Sequence, residues 1–469
     1  MIRYMNKGAS DQRRLVLVVC ILASFVAFLD GSVVNVGLPA IVRELGGGLV
    51  TQQWVVDAYL ITLSSLILIA GSLSDLFGRK RILQLGLLGF GVASILCAVA
   101  PTSGLLIVFR ALQGVAGALL VPSSLALIIA VFGNEGSGGA IGTWTAWTGI
   151  AYIIGPLLGG FLIDAASWRL IFAINVLPIA VTLWLMRCLY HQDSKQKEPH
   201  VDILGAVLSA IGLGGPVFAL IEQSHHGWSS PIIYAPLIGG LAMLAYFIRY
   251  EQRIEYPMLT MELFKVRNFS VGNAATIAIY GGLSVASFLI TVFIQQVGGY
   301  SAIEAGMALL PVTIIMFVLS PRFGALCGKY GPRLFMSAGP AVAGIGFFLL
   351  LRVNIPVLYW SQLLPGILLF GLGLSMTVAP LTTAILGSIE SRHAGIGSAI
   401  NNAVARVAGL LAIAALGIVT GPRLGIAGFH HGVVAMAVLL LVGAGISAVG
   451  IQNSPIAGSA QKPRASAKL

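Results

Sequence analysis

Three ionisable residues in the first quarter of the chain interrupt segments that are otherwise apolar. Asp30 lies in VAFLDGSVVNVGLP, Asp57 in WVVDAY and Arg110 in VFRALQGVAGA. Charged side chains are costly in apolar surroundings, so each of the three is a candidate for function. A carboxyl group at low dielectric constant can hold a proton at neutral pH. They therefore predict a proton-coupling site in which Arg110 keeps an acid ionised. Helix capping by the acids and backbone bonds from Arg110 are the simpler alternatives.

A second polar group lies near the C-terminus, in GIGSAINNAVARVAGLL. Asn402 and Arg406 are four residues apart, so on a helix they share one face. With Asn401 they predict the lining of a substrate cavity, and interhelical hydrogen bonds are the alternative. The sequence holds no G-x-x-x-x-G-K-[ST] string, so the energy for moving a substrate would come from an ion gradient or from the substrate itself. Neither an enzyme, a cofactor nor a metal site is predicted.

A short charged turn, GSLSDLFGRKRIL at residues 71–83, separates two apolar segments. An eroded copy, GALCGKYGPR, lies between two later apolar segments, and Gly71, Gly78 and Lys80 match Gly324, Gly331 and Arg333. The same turn in two parts of one apolar chain indicates a duplicated helical bundle. Duplicated bundles in membranes are most often secondary transporters.

Two sets of residues predict a conformational role. In the turn, Asp75 opposes Arg79 and Lys80, beside Gly71 and Gly78, and such a charge cluster can latch one half against the other; topology signalling is the simpler explanation. In IIGPLLGGFL, Pro156 removes a backbone donor and bends the helix, while Gly155 allows a neighbouring helix to come close. That bend can serve as a pivot.

The composition excludes a soluble fold. Of the 469 residues, 57% are hydrophobic and only 9% are charged, against roughly 25% charged in soluble domains. The 58 glycines fit close helix packing in lipid. The net charge of +11 is not accompanied by a nucleic-acid-binding module, so a nucleic-acid partner is not predicted.

Apolar segments of about 20 residues predict fourteen membrane spans. Their expected bounds are roughly 15–36, 53–72, 82–100, 104–127, 139–163, 169–189, 202–222, 231–249, 270–294, 304–325, 334–352, 357–386, 396–420 and 430–451.

The basic residues predict the orientation of these spans. With both termini in the cytoplasm, the cytoplasmic side carries 21 of the 27 Lys and Arg residues. The outer side then carries Arg43, Arg169, Arg352 and Arg423. Cytoplasmic loops are enriched in Lys and Arg, so the opposite orientation is rejected.

The position of the repeated turn predicts the organisation of the chain. Span 2 corresponds to span 10, so spans 1–6 correspond to spans 9–14, and spans 7 and 8 form an inserted hairpin. The expected units are an N-terminal six-helix bundle at 1–190, the linker and hairpin at 191–250, a C-terminal six-helix bundle at 251–451 and a disordered cytoplasmic tail at 452–469.

Taken together, these segments resemble the major facilitator superfamily. GSLSDLFGRKRIL, VFRALQGVAGA and GPLLGG are similar to its signatures after span 2, on span 4 and on span 5. LDGSVVNVGLP and WRLIFAINV resemble signatures of its fourteen-span drug:proton antiporter branch, the EmrB/QacA-type multidrug efflux proteins. The resemblance implies an all-α integral membrane fold with two six-helix bundles and an inserted two-helix hairpin. It also implies that Asp30 and Arg110 act in proton coupling, and that Gly155 and Pro156 form the antiporter kink.

We therefore expect a proton-coupled exporter of small amphiphilic compounds in the bacterial inner membrane, with protons and the lipid bilayer as further partners and a periplasmic adaptor left open. Spans 10 and 13 hold no acid apart from Glu304 at an edge, so neutral, monocationic and anionic substrates stay open. One rival is an exporter of an endogenous metabolite, lipid or siderophore. Another is a non-transporting membrane sensor, which would not need the charges at Asp30, Asp57 and Arg110.

Overall fold

The computed structural model describes residues 2–189, 201–255, 257–390, 394–421 and 423–453, without the side chains of 2–10, 75, 134–138 and 394. The predicted linker at 191–200 and the tail beyond residue 453 lie outside the described residues. Within them the chain is helical and contains no strand. Fourteen helices are long and apolar enough to cross a membrane, which confirms the predicted number of spans.

Spans 1 to 6 follow one another with short connections. Their helices are Ile2–Leu45, Gly48–Phe77, Arg79–Ala98, Ser103–Ala118, Leu120–Gly149, Ala151–Ala165, Leu170–Ala173 and Val176–Arg187. The helix Leu120–Gly149 completes span 4 and begins span 5, and it changes direction at Gly133, where φ is 69°. Span 1 extends nine residues beyond its predicted end because the helix continues through Pro39 to Leu45.

Spans 7 and 8 are the helices Ile203–His226 and Pro231–Glu251. Spans 9 to 14 then repeat the pattern of the first six. Their helices are Arg267–Gln296, Ala302–Ala308 with Leu310–Tyr330, Pro332–Leu349, Leu364–Leu386, Ala394–Thr420 and Ile426–Gly450. Two 3-10 helices lie beside these spans: Met261–Lys265 precedes span 9, and Leu350–Arg352 ends span 11. Span 12 begins with a π-helical turn, Tyr359–Leu363.

Helix packing is the same in both halves. Span 1 contacts spans 5 and 6 as span 9 contacts spans 13 and 14, and span 4 contacts spans 2 and 3 as span 12 contacts spans 10 and 11. The halves meet where span 2 packs on span 13 and where span 5 packs on span 10. Since span 2 corresponds to span 10 and span 5 to span 13, these two contacts are equivalent to each other under the internal repeat. Span 7 of the inserted hairpin packs against spans 2 and 13. The predicted fold class is therefore confirmed.

The two ends of the bundle differ in how the halves join. We call the end with Gly78 the inner end and the end with Glu44 the outer end, after the predicted orientation. Toward the outer end one apolar cluster runs through both halves and includes Leu38, Phe172 and Phe293. Toward the inner end each half has its own cluster, and among the described residues Leu68 and Ala403 bridge them. The halves are thus held together mainly at the outer end.

Candidate functional site

Asp30 of span 1 and Arg110 of span 4 form an ion pair in the interior of the first half. Asp30 Oδ2 accepts a hydrogen bond from Arg110 Nη1 at 2.6 Å, and the two residues are 0% and 1% exposed. Arg110 Nε also donates to the carbonyl oxygen of Val55 at 3.0 Å, and its guanidinium carbon lies 4.3 Å from the centre of the Tyr59 ring. Both contacts that the sequence left open for Arg110, the acid and a backbone carbonyl, occur together.

Amide and hydroxyl side chains complete the surroundings of this pair. Gln113 accepts from Arg110 Nη1 at 2.7 Å and donates to Asp30 Oδ1 at 2.9 Å and to Ser94 at 2.9 Å. Asn175 of span 6 donates to the same Asp30 oxygen at 3.0 Å. Each Asp30 oxygen therefore has a donor, which offsets the large cost of burying a carboxylate. The network joins spans 1, 2, 3, 4 and 6 and stays within the first half.

Asp57 of span 2 has the opposite surroundings. It is 0% exposed, and neither of its carboxyl oxygens has a hydrogen-bond partner among the described residues. Trp54, Asp57 and Ile61 are three and four residues apart and therefore lie on one face of the helix. Trp54 and Ile61 pack on an apolar cluster from spans 7 and 13, comprising Leu213, Val217, Ile221, Leu410 and Ala414. Asp57 thus lies on the face toward the inserted hairpin, and Arg110 pairs with Asp30 rather than with it.

The polar residues of span 13 divide between two surroundings. Asn401 donates to Asn273 at 3.1 Å and to Thr276 at 2.9 Å, both on span 9, so it ties two helices of the second half together. Asn402 is exposed, and its amide donates to the carbonyl oxygen of Ser398 one turn earlier. Asn401 was predicted to line a cavity, with interhelical hydrogen bonds as the alternative, and in the structure it makes those interhelical bonds.

Arg406 lies among tyrosines that come from both halves. Tyr59 of span 2 and Tyr152 of span 5 lie near it, and Tyr280 of span 9 lies near Tyr152. Tyr152 is 50% exposed although it sits midway between the two ends of span 5. Because Arg406 and Tyr280 belong to the second half, while the Phe28 ring 5.8 Å away belongs to the first, this exposed surface faces the space between the halves.

The glycines of span 5 let it approach two helices at once. A Cβ atom on Gly155 would lie 2.0 Å from Ser32 Oγ, and one on Gly159 would lie 2.3 Å from Val33 Cγ2, so these two glycines face span 1. The bond from Ser32 Oγ to the carbonyl oxygen of Ala151, at 3.1 Å, strengthens this contact. Span 5 is therefore held against span 1 of its own half.

The other face of span 5 touches span 10 of the second half. A Cβ atom on Gly160 would lie 2.4 Å from Ile303 Cα, and one on Gly306 would lie 2.3 Å from the carbonyl oxygen of Pro156. Asp164 accepts from the backbone amides of residues 302 and 303 at 3.1 and 2.9 Å, at the start of span 10. This backbone-to-backbone contact lies in the outer half of the bundle, and Pro156 is part of it.

The turn predicted at 71–83 is shorter than expected. Span 2 continues as a helix to Phe77 and span 3 begins at Arg79, so Gly78 alone breaks the helix, with φ 97°. Gly331, its counterpart in the second half, has φ 80° and likewise precedes a helix. A Cβ atom on Gly71 would meet nothing within 4 Å. The side chain of Asp75 lies outside the described residues.

The basic residues of this turn bind backbone carbonyl oxygens of other spans, and in two of the three bonds the carbonyl lies at the end of a helix. Arg79 Nη1 donates to the carbonyl oxygen of Ala126 at 3.2 Å, and Lys80 Nζ donates to that of Leu189 at 2.6 Å, just after span 6. Arg333, the counterpart of Lys80, donates from Nε at 2.7 Å to a carbonyl oxygen in the last turn of span 14. Cations stabilise helix C-termini. These bonds tie each turn to its own half, and the latch between halves stays a prediction.

The profile of the Major Facilitator Superfamily matches residues 20–413. The chain belongs to this superfamily. Its members are transporters rather than enzymes, and the resemblance drawn from the sequence motifs is confirmed.

Several curated relatives of this superfamily member are named as drug or antibiotic resistance proteins. It is 33% identical to the puromycin resistance protein pur8 of Streptomyces alboniger, over 88% of this chain and 83% of that protein. It is 33% identical to the methylenomycin A resistance protein of Bacillus subtilis, over 86% and 87%. It is 32% identical to the multidrug resistance protein Stp of Mycobacterium tuberculosis, over 86% and 75%.

Solved structures of the superfamily share the fold at low identity. A peptide transporter POT in complex with sulfate superposes with a TM-score of 0.68 at 16% identity, over 92% of this chain and 94% of that one. A D-xylose-proton symporter gives 0.65 at 15% identity, over 94% and 98%. These likenesses concern the fold alone.

Several polar residues of this transporter's interior were not predicted from the sequence. Gln113 is three residues after Arg110, and that spacing could have marked it as a partner on the same helix face. Asn175 lies in FAINV, a motif that was identified without a role for the amide. Nothing in the sequence indicated that Tyr152 and Tyr280 lie near each other. A single tyrosine in an apolar segment can face either a cavity or lipid, and the sequence pattern does not distinguish the two.

Proposed function

We propose that this transporter is a proton-coupled antiporter that exports small amphiphilic compounds by alternating access. The observation that carries the proposal is the contrast between two buried carboxyl groups in the first half. Asp30 is held by Arg110, Gln113 and Asn175, whereas Asp57 has no hydrogen-bond donor among the described residues. The resistance functions named for the relatives support drug export.

Proton exchange is assigned to the carboxyl group that lacks a donor. Burying an ionised carboxylate without hydrogen bonds is far more costly than burying a neutral carboxyl group. Asp57 is therefore favoured in its neutral form in this arrangement, and it would release its proton when the packing around spans 2, 7 and 13 opens. The sequence favours Asp30 as the proton carrier. Its complete set of donors instead supports a permanent ion pair with Arg110 that orders the first half.

Alternating access is supported by the unequal joining of the two ends. The halves share an apolar cluster toward the outer end and have separate clusters toward the inner end. We propose that the halves rock about the contact of span 5 with span 10, where Pro156 and Gly306 meet. Opening outward requires that contact to separate.

Both termini are proposed to lie in the cytoplasm, with the chain in the bacterial inner membrane. Reporter fusions after Gly48, Lys80, His226 and Arg392 should report outside, inside, outside and inside. An external C-terminus or a twelve-span pattern would contradict this topology. The described residues give no support for a periplasmic adaptor.

The function is tested by growth of drug-sensitive bacteria that express the chain, on a toxicant panel that begins with puromycin and methylenomycin A. We expect at least a fourfold rise in the inhibitory concentration of one compound, lost in Asp57→Asn at equal expression. Asp11→Asn, at the exposed inner start of span 1, is the matched control and should keep resistance. In vesicles, substrate should drive proton movement in the wild type and not in Asp57→Asn.

The alternatives predict other results. An exporter of a metabolite, lipid or siderophore would give no resistance and yet exchange protons when a cell extract is added. A sensor would move neither substrate nor protons. Full uphill export by Asp57→Asn would return the coupling role to Asp30.

A further inference from the structure

Arg406 is a positive charge placed near the middle of the membrane-spanning region. It lies in span 13, which runs from Gly395 to Thr420. At ~1.5 Å per residue it is about 17 Å from the first of these residues and about 21 Å from the second. Arginine at this depth is costly unless it faces water or an anion.

No residue in the described part of the chain neutralises this charge. Arg406 makes no ion pair or hydrogen bond there, and its Nε atom is buried without a partner. Between residues 267 and 451 the sequence holds only two acids, Glu304 near the start of span 10 and Glu390 in the connection between spans 12 and 13. Glu304 belongs to the capping box that begins span 10 at the outer end. By contrast Arg110, buried inside span 4, has a carboxylate at 2.6 Å.

The surroundings of Arg406 are aromatic and come from both halves. Tyr59 and Tyr152 lie near it, Tyr280 lies near Tyr152, and the ring centre of Phe28 is 5.8 Å from that of Tyr152. Asn402, on the same helix face as Arg406, is exposed. A small molecule between the halves would therefore meet one cation, an amide and several aromatic rings.

We propose that Arg406 binds the oxyanion of an aromatic, negatively charged substrate, which makes anionic amphiphiles the preferred cargo. This inference rests on the proposed export function and names its substrate class. The planar guanidinium group can donate two parallel hydrogen bonds to a carboxylate, and the tyrosine rings offer apolar surface and hydroxyl groups beside it. A cationic substrate would meet an uncompensated positive charge in a site of low dielectric constant.

The test compares two dyes that share a tricyclic xanthene ring system and differ in charge. Fluorescein is anionic at neutral pH and rhodamine 123 is cationic. Binding to the purified full-length protein is measured by fluorescence anisotropy, and export is measured in proteoliposomes with an imposed pH gradient. We expect the wild type to bind fluorescein at least tenfold more tightly than rhodamine 123.

Three variants assign this preference to Arg406. Arg406→Gln should weaken fluorescein binding at least tenfold and leave rhodamine 123 binding unchanged or stronger. Arg406→Lys, which keeps the charge and loses the planar pair of donors, should weaken fluorescein binding about threefold. Arg352→Gln, which removes an exposed charge at the outer end of span 11, is the matched control and should bind both dyes as the wild type does.

Four results would overturn the inference. The first two concern the wild type, which would bind neither dye or would prefer rhodamine 123. The third is an equal loss of binding of both dyes in Arg406→Gln. The fourth is displacement of fluorescein by chloride at physiological concentration, which would assign the site to an inorganic anion. Because binding is measured without a pH gradient, failure of export alone would count against the proposed antiport and not against the anion site.

Discussion

The two halves of this transporter pack their helices in the same way and differ in their polar interiors. In the first half the charges of Asp30 and Arg110 neutralise each other within one buried network. In the second half Asn401 joins spans 9 and 13, and Arg406 has no carboxylate partner among the described residues. Packing depends on apolar and small side chains that both halves keep, whereas buried charges are costly and persist where function requires them. We therefore propose that coupling belongs to the first half and substrate contact to the second.

The turn at the inner end shows what the halves share. Gly78 and Gly331 both have positive φ, and both precede the helix of the following span. Lys80 and Arg333 each bind a carbonyl oxygen at the end of the last helix of their own half. Backbone conformation and helix-end charge are therefore retained where the interiors have diverged.

The largest expected difference between the halves concerns their arginines. Arg110→Ala leaves Asp30 buried without a counter-charge, which costs about 3–5 kcal/mol. We expect a lower melting temperature in detergent and at least a hundredfold loss of uphill export at matched protein amounts. Arg110→Lys should recover part of both.

Arg406→Ala is the matched variant in the second half. It unpairs no carboxylate among the described residues, so its unfolding free energy should stay within about 1 kcal/mol of the wild-type value. Equal destabilisation by the two variants would remove the distinction between a paired and an unpaired arginine.

The contact between spans 5 and 10 should give the next largest effect. Gly160→Ala places a methyl group 2.4 Å from Ile303 Cα, so the two backbones must separate, at about 1–3 kcal/mol. We expect roughly tenfold slower export and faster labelling of a cysteine introduced at the outer end. Gly149→Ala, on the same span with nothing within 4 Å of the added Cβ, is the control. Unchanged labelling of the Gly160 variant would show that the contact does not close the outer end.

A smaller effect is expected at Pro156. Pro156→Ala restores a backbone donor and should straighten span 5, which changes the position of the carbonyl oxygen that meets Gly306. Turnover should fall severalfold while dye binding stays close to the wild type. Unchanged turnover would mean that the bend only serves packing.

Variants of the repeated turn test whether the halves are equivalent there. Gly78→Ala and Gly331→Ala force a methyl group onto positive φ and should each cost about 1–3 kcal/mol. Gly331→Ala should cost more, because its Cβ would also lie 2.3 Å from the Asn453 side chain. Gly71→Ala, with open space around it, should stay within about 0.5 kcal/mol. Thermal unfolding measures all three, and a Gly71 variant as unstable as the Gly78 variant would contradict the assignment.

Much of the fold could be predicted from the sequence, and less of the site. The fourteen spans follow from runs of apolar residues, because lipid leaves few other structures for such a chain. Their ends were less predictable: Leu45 ends a helix that continues through Pro39, and Phe77 extends span 2 into the expected turn. Candidate charges were visible as exceptions to the hydrophobic pattern. The partners of these charges could not be predicted, because amide side chains such as that of Asn175 are common in sequences. Asn175 also lies 145 positions from Asp30, to which it donates.

The sequence by itself determined that the chain is an all-helical membrane protein, that it is duplicated and that Asp30, Asp57, Arg110 and Arg406 lie inside spans. Those properties depend on composition and local order, which the sequence states directly. Only the tertiary structure decided that Arg110 pairs with Asp30, while Asp57 and Arg406 have no such partner among the described residues. The reason is that spacing along one helix sets which face a residue occupies, but the helix that it faces depends on how all fourteen pack together.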